Sequence, residues 1–243
     1  MKKLKRKQKN KKKIVVLIPA RGGSKSIKSK NLYLIDTKPL VAWSIEFAKK
    51  DKLVDRVFVS TDSKNISFYA KYYGAEIHKR EKKYSKDNSL IFSTINSFLK
   101  YLITKLKYKP DILVILEPTS PFREKKLISK CVNKMVKTKS DSIATFVFAK
   151  THPARTWYLK KNGKPISLYK SDAWKPRQRL KPVYELDGSL YAFKIKTNFK
   201  LSKGLLFGKS TSYILSNKNQ IEIDNQKDIK FANIIIENRH KKK

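Results

Sequence analysis

Between the apolar run Ile14–Ile18 and Asn31 lies Pro19-Ala20-Arg21-Gly22-Gly23-Ser24-Lys25-Ser26-Ile27-Lys28-Ser29-Lys30-Asn31. Two adjacent glycines let the backbone approach a ligand closely, and Arg21, Lys25 and Lys30 ring them with fixed positive charge, the chemistry a triphosphate requires. The loop lacks the Gly-Lys-Ser/Thr ending of a Walker loop and the Gly-x-Gly-x-x-Gly of a dinucleotide fingerprint. Taken alone, it fits a plain glycine turn in a lysine-rich chain equally well. A second group lies near the other end of the chain. Glu222 and Asp224 alternate on what reads as a short strand, so both carboxylates can face one cation, and hard oxygen ligands are what Mg²⁺ prefers. Asp228, four residues after Asp224, reads instead as the acidic start of a closing helix, where it complements the helix dipole.

Positioning these groups falls to short apolar runs alternating with helical patterns, the signature of a parallel sheet with crossover helices. Ile14–Ile18 reads as a buried strand. Pro39 opens a helix through Lys50, with Leu40, Trp43, Ile45 and Phe47 on its buried face. Val57–Ser60 and Ala75–His78 read as strands flanking a helix over Asn65–Tyr73. Asn88–Lys107 is a longer helix with Ile91, Ile95, Phe98, Leu102 and Leu106 at spacings of three and four. Ile112–Leu116 is the central strand, because its five apolar residues leave no polar face. Glu124–Lys137 and Ser142–Phe148 supply another helix and strand. His152–Pro182, with its prolines and two tryptophans, reads as an inserted loop-and-hairpin region. Patterning resumes at Ser189–Ile195, Tyr213–Leu215 and Ile221–Ile223, and a helix from about Asn225 to Glu237 closes the chain. The expected organisation is one domain over 14–238, with an insertion at about 150–182, between a disordered basic tail at 1–13 and a basic tail at 239–243.

Composition sets outer limits. A chain of 243 residues, 40% hydrophobic and 11% aromatic, can bury a real core. Its net charge of +39 includes nine Lys/Arg in Met1–Lys13 and four in Arg239–Lys243, leaving +26 across Ile14–Asn238. A charge spread this evenly favours a compositional bias over a dedicated nucleic-acid surface, which more often gathers its cations into a patch or arm. Cys131, the one cysteine, excludes an intrachain disulfide framework and suits a reducing cytoplasm. His78, His152 and His240 share no ligand spacing with Cys131 or with acid clusters, so a zinc site is not expected. The five apolar residues of Ile14–Ile18 fall short of a signal-peptide core, and no stretch approaches a membrane span, so a soluble protein is expected. Trp157 and Trp174 read as packing or subunit-contact anchors before base-stacking groups.

The order Ile-Pro-Ala-Arg-Gly-Gly-Ser-Lys, then Ser60-Thr61-Asp62, Pro118-Thr119-Ser120-Pro121-Phe122-Arg123, Arg177-Gln178 and Ile223-Asp224 resembles the acylneuraminate cytidylyltransferase family, which makes CMP-activated nonulosonic acids. The resemblance runs from about Ile14 to Glu237. It implies an α/β, GT-A-like (Rossmann-like) nucleotidyltransferase fold with a mostly parallel central sheet, CTP as donor, Mg²⁺ as cofactor, and a homodimer built through a small inserted segment. It further implies that Arg21, Gly22, Ser24, Lys30 and Asn31 form the nucleotide loop, with Arg21 and Lys30 on phosphate and Asn31 nearer the cytidine. Arg80 and Ser89 fall on the nucleoside, and Asp224 with Glu222 on the metal. On the sugar side fall Glu117, Arg177, Gln178 and Tyr184, with a guanidinium presented to the acceptor's carboxylate. Several positions depart from the family pattern. Ser26 stands for a usual Gly, Lys28 for Pro, Glu117 for Gln, Asp187 for Asn and Glu222 for Asp.

The expected reaction is in-line attack of the acceptor's 2-hydroxyl on the α-phosphorus of CTP, bound at the carboxyl end of the sheet, yielding a CMP-sugar and pyrophosphate. No residue is an obvious general base. An eight-carbon keto-acid acceptor and a nucleic-acid-binding α/β protein are the rival expectations.

Overall fold

A computed structural model of the chain describes residues 12–24, 26–85, 90–169, 173–196, 199, 201, 204–216 and 221–241. The basic tail expected at 1–13 lies, but for Lys12 and Lys13, outside the described residues.

The strands in chain order are β1 (Ile14–Pro19), β2 (Leu34–Ile35), β3 (Lys38–Pro39), β4 (Arg56–Thr61), β5 (Glu76–Lys79), β6 (Ile112–Ile115), β7 (Ser142–Phe148), β8 (Trp157–Leu159), β9 (Pro165–Ser167), β10 (Tyr184–Lys194) and β11 (Ser210–Ile214). The α-helices are α1 (Leu40–Lys49), α2 (Lys64–Tyr72), α3 (Ile91–Thr104), α4 (Leu127–Lys137) and α5 (Gln226–His240). Seven strands form one sheet in the order β11-β7-β10-β6-β1-β4-β5, in which β10 alone runs against the others. The expected mostly parallel α/β architecture is therefore present, with crossover helices on both faces.

Period-two alternation explains why β1 has no polar face. Val16 and Ile18 pack into one layer with Val41 and Ile45 of α1 and Leu127 and Cys131 of α4. Val15 and Leu17 pack into the opposite layer with Ile95, Phe98 and Leu102 of α3. α1 buries Leu40, Val41, Ala42, Ser44, Ile45 and Ala48, so its core face is rotated from the expected one and leaves Trp43 and Phe47 only partly covered. A third cluster joins α5 to α1 and to the segments after β1 and β6 through Ile229, Ala232, Ile235, Ile27, Leu40, Phe122 and Ile223.

Two local expectations change. Ile221–Ile223 forms no ladder among the described residues. It is held by the Ile223 N–H donating to the Thr119 carbonyl at 2.8 Å, one main-chain bond where a strand needs a series. Burial still alternates there, since Ile223 is enclosed while Glu222 and Asp224 are exposed. Gly188 lies in a bulge within β10, where the register against β7 shifts between Leu186 and Tyr191. The closing helix runs through His240, two residues into the terminal basic run. Asn225 and Asp228 cap it reciprocally as a capping box.

Candidate active site

The carboxyl ends of the parallel strands β1, β5 and β6 deliver their loops to a cleft of ≈ 490 Å³ lined by Arg21, Gly23, Ser24, Lys30, Asn31, Arg80, Glu117 and Thr119 among others. Parallel strands place all these loops on one side of the sheet, so residues scattered from 21 to 119 meet.

The loop after β1 is pinned at its turn and at its end. The Gly22 N–H donates to Asp62 Oδ1 at 2.8 Å, and a Cβ on Gly22 would stand 2.9 Å from the Ser63 Cβ. Close approach, not an unusual φ, is what requires glycine here. Gly22→Ala must push the loop off β4, and we expect the KM for a triphosphate substrate to rise about tenfold, roughly 1.4 kcal/mol, in steady-state assays while circular dichroism stays native. Unchanged KM would show that the loop tolerates the shift. At the loop's far end the buried Asn31 donates Nδ2 to the Arg21 carbonyl at 2.9 Å. Lys30 Nζ donates to the Ile223 carbonyl and to Asp224 Oδ1, each at 3.0 Å. Because the Asp224 side chain is 61% exposed, this ion pair is worth less than about 1 kcal/mol, and an incoming polyphosphate can displace it.

Arg80 is buried and aimed by β4. It donates Nε to Ser60 Oγ at 3.3 Å and Nη2 to the Ser60 carbonyl at 3.0 Å. Burial pulls its pKa down to about 10, with Asp62 opposing and Arg21 reinforcing the shift. His78 Nδ1 sits 3.0 Å from the same Ser60 hydroxyl. Burial, then Arg80, lower its pKa to about 4, so the ring is neutral and serves as a hydrogen-bonding prop.

Opposite the cations, four carboxylates converge. Gly188, at φ +68°, would place a Cβ 3.0 Å from Glu117 Oε2 and 3.6 Å from Glu222 Oε1, which brings those two acids to the same point. Burial pushes the Glu117 pKa up to about 7, with Glu222 the next cause and Arg123 pulling the other way. Burial and Asp224 likewise raise Glu222. Asp187 is held by Ser189, whose N–H and hydroxyl both donate to it. Asp224 is positioned by the helix cap: its N–H donates to Asp228 Oδ2 at 2.8 Å. Asp228 is thus a cap, not a ligand.

The raised Glu117 pKa has a stability consequence. The folded state holds this proton to about pH 7 while the unfolded chain releases it near 4.5, so stability is lost as pH rises between those values. In metal-free protein, Glu117→Gln should be stabilised relative to the parent by up to about 3 kcal/mol above pH 7, and the gain should vanish near pH 4. Urea midpoints across that range measure it. A pH-independent difference would contradict the assignment.

Among the described residues no three His, Cys, Asp or Glu side chains form a metal cage by themselves. Glu222 and Asp224 fit a hard cation that completes its shell with substrate phosphates and water, the way Mg²⁺ is commonly held.

An adjoining cavity of ≈ 330 Å³ is lined by Phe122, Lys150, Glu185, Asp187, Ser189 and Glu222 among others, and a third of ≈ 510 Å³ contains Lys150, His152, Arg155 and Arg177. The fold thus brings Arg21, Ser24, Lys30, Asn31, Arg80 and Glu117 together, ties Asp224 in through Lys30, and puts Glu222 next door. Arg177 lies beyond Lys150, Gln178 sits on an exposed 3₁₀ turn, and Tyr184 stacks on Phe148 with ring centroids 4.7 Å apart. Ser89 lies outside the described residues. Three contributors escaped sequence reasoning. Lys150 carried no signal among so many lysines. His78 acts only through Ser60, across strand register. The buried Thr119 hydroxyl, unpaired among the described residues, faces the cleft from a segment noticed only for its order.

Residues 15–233 match the family model for cytidylyltransferases. A flagellin post-translational modification protein B from Campylobacter coli is 30% identical over 229 residues, covering 93% of this chain and 96% of its own. An N-acylneuraminate cytidylyltransferase from Oncorhynchus mykiss is 31% identical, covering 87% of this chain and 47% of its own, so this chain spans about half of that protein. A CMP-N,N'-diacetyllegionaminic acid synthase from Campylobacter jejuni is 29% identical, covering 92% and 94%. The solved structure of CMP:2-keto-3-deoxy-manno-octonic acid synthetase with CTP superposes with a TM-score of 0.66 at 16% identity, over 93% of this chain and 99% of the other, which establishes the shared fold. On the match over residues 15–233 and the 30% identity to the Campylobacter coli protein, the chain belongs to the cytidylyltransferase family of nucleotidyltransferases.

Proposed function

We propose that this protein transfers the cytidylyl group of CTP to the 2-hydroxyl of a nonulosonic acid, releasing pyrophosphate. The observation that carries this reading is Lys30, which joins the cationic loop to the carboxylate pair by donating to both Ile223 and Asp224. Arg21, Lys30 and the backbone at Gly22–Ser24 bind and orient the triphosphate, and Arg21 and Lys30 stabilise charge on the departing pyrophosphate. Arg80, propped by Ser60 and His78, reaches the same cleft from the nucleoside side. Glu222 and Asp224 would hold Mg²⁺, which supplies Lewis-acid stabilisation of phosphoryl oxygens. Lys150, Asp187 and Glu117 stand where the acceptor must enter, with Lys150 offering a charge partner for its carboxylate. Two anionic substrates meeting a +39 protein gain encounter rate that salt weakens.

The β8–β9 hairpin exposes Trp157, Tyr158, Leu159, Ile166 and Leu168, and nearby Trp174 is 85% exposed. This supports a homodimer formed through the insertion. Leu159→Glu should convert a dimer to monomer in sedimentation velocity, weakening association at least about 100-fold by placing a charge in an apolar interface. An unchanged sedimentation coefficient would reject this interface.

Among the described residues no helix is long and apolar enough to cross a membrane. The test of function is pyrophosphate release from CTP and Mg²⁺ with neuraminic, legionaminic, pseudaminic and eight-carbon keto-acid sugars. Release with a nine-carbon acid alone is expected. Release with only the eight-carbon acid would move the acceptor class, and silence across the panel with steeply salt-dependent nucleic-acid binding would overturn the reading.

A further inference from the structure

Against the Pro121-Phe122-Arg123 segment lies a cavity of ≈ 480 Å³ that shares no lining residue with the cleft and that cytidylyl transfer does not use. Its aromatic wall is Trp43 and Phe47 of α1 with Phe122. The Trp43 and Phe122 rings meet edge to face, with centroids 5.4 Å apart, and the Arg239 guanidinium lies 4.5 Å from the Phe122 centroid. Six cations line the cavity, Lys38, Lys50, Arg123, Lys125, Lys126 and Arg239, against Glu46 and Asp51. Glu46 and Lys38 pair with each other at 2.7 Å, Asp51 accepts from Leu53 and Ser129, and Arg123 is spent on three oxygens, which leaves Lys50, Lys125, Lys126 and Arg239 as the surplus charge. Lys38 lies over the Trp43 ring at 4.9 Å and Arg123 over the Phe47 ring at 5.6 Å, so cations roof the aromatic wall. Ring edges beside this excess of positive charge define a ligand with a flat ring and an anionic group.

This cavity also has a mechanical link to the site. Phe122 lines both it and the cavity that holds Lys150, Asp187 and Glu222. Arg123, the next residue, donates to the carbonyls of Glu117 and Ser189 and, at 2.9 Å, to Ser44 Oγ of α1.

We propose that this cavity is a second ligand site, specific for a small aromatic anion, and that its occupancy is felt in the acceptor pocket through Phe122. Only the second clause rests on the proposed cytidylyl transfer.

Ligand-observed saturation-transfer NMR with phenyl phosphate tests the site, with excess CTP filling the catalytic cleft and benzyl alcohol and inorganic phosphate as ringed-neutral and ringless controls. Saturable binding of phenyl phosphate is expected, weakened at least about tenfold for each control. Trp43→Phe combined with Arg239→Gln shrinks the aromatic wall and removes a cation, and Lys50→Ala combined with Lys125→Ala removes two exposed cations without touching the core. Each pair should weaken binding by about fivefold or more. In the pyrophosphate assay phenyl phosphate should shift the acceptor KM at least threefold in the parent protein and leave the CTP KM within error. A flat titration, equal binding by inorganic phosphate, parental affinity in both double variants, or binding with no change in acceptor KM would each overturn the proposal. If no acceptor is turned over at all, the function assigned above fails, while the NMR titration still decides the site.

Discussion

Asp224→Ala is expected to lower kcat for cytidylyl transfer about 10³-fold, roughly 4 kcal/mol of transition-state stabilisation, with little change in thermal stability. The separation of the two readouts follows from the geometry. The Asp224 side chain is largely exposed, and its pairing with Lys30 contributes under about 1 kcal/mol, so removing it leaves the fold intact. Its backbone N–H, which anchors the α5 cap on Asp228, survives the substitution. What disappears is one of the two carboxylates, with Glu222, proposed to hold a hard cation against triphosphate oxygens. Asp224→Asn is the sharper variant, because it preserves shape and an acceptor for Lys30 while deleting the charge. Parental kcat in Asp224→Asn, measured at saturating CTP and metal, would show that the carboxylate takes no part in the reaction.

The second large effect concerns stability. Arg123 is largely buried, and burial pulls its pKa down to about 9, with Asp187 and Glu117 opposing. It donates to the Ser189 carbonyl at 2.8 Å, to Ser44 Oγ, and to the Glu117 carbonyl, so it ties the end of β6 to α1 and to the bulge in β10. Arg123→Leu fills much of the space with apolar atoms worth about 2 kcal/mol, but it orphans the Ser189 carbonyl, leaves the Glu117 carbonyl to the Ser120 N–H at 3.3 Å, and deletes a cation opposing Glu117. Loss of these polar contacts wins, and a net loss of about 3–5 kcal/mol is expected, seen as a fall in Tm of roughly 6–20 °C for a chain of this size. Arg123→Lys keeps the charge but cannot span three acceptors, and should fall between. A Tm within 2 °C of the parent for Arg123→Leu, roughly 1 kcal/mol or less, would mean that the three bonds are not what joins these elements.

These two residues differ in how readable they were. Asp224 stood out in the chain because acids are scarce there and because its spacing from Glu222 alternates. The reason given for the pairing, a short strand, was replaced by a tethered segment in which Ile223 is buried and its neighbours are not. Arg123 was visible only as the last letter of a run resembling a family pattern. Its burial and its three acceptors depend on where α1, β6 and β10 cross.

Local patterning determined the core of this protein. Uninterrupted apolar runs at Ile14–Ile18 and Ile112–Leu116 and the three-and-four spacing in α3 are satisfied only by a sheet covered on both faces, so element types and their order were legible from one chain. The glycine pair announced a close backbone approach, and the structure supplied its object, Asp62 and Ser63 at the end of β4. Tertiary structure alone decided the rest, because it turns on distances between residues far apart in sequence. The prop that His78 and Ser60 give Arg80, the meeting of Glu117 with Glu222 over a glycine in a bulge, the place of Lys150 and the aromatic cavity against Phe122 all arise from strand register and helix packing. Periodicity records which face a residue presents. Which other residue it meets there depends on how the faces dock, and that is a property of the folded chain as a whole.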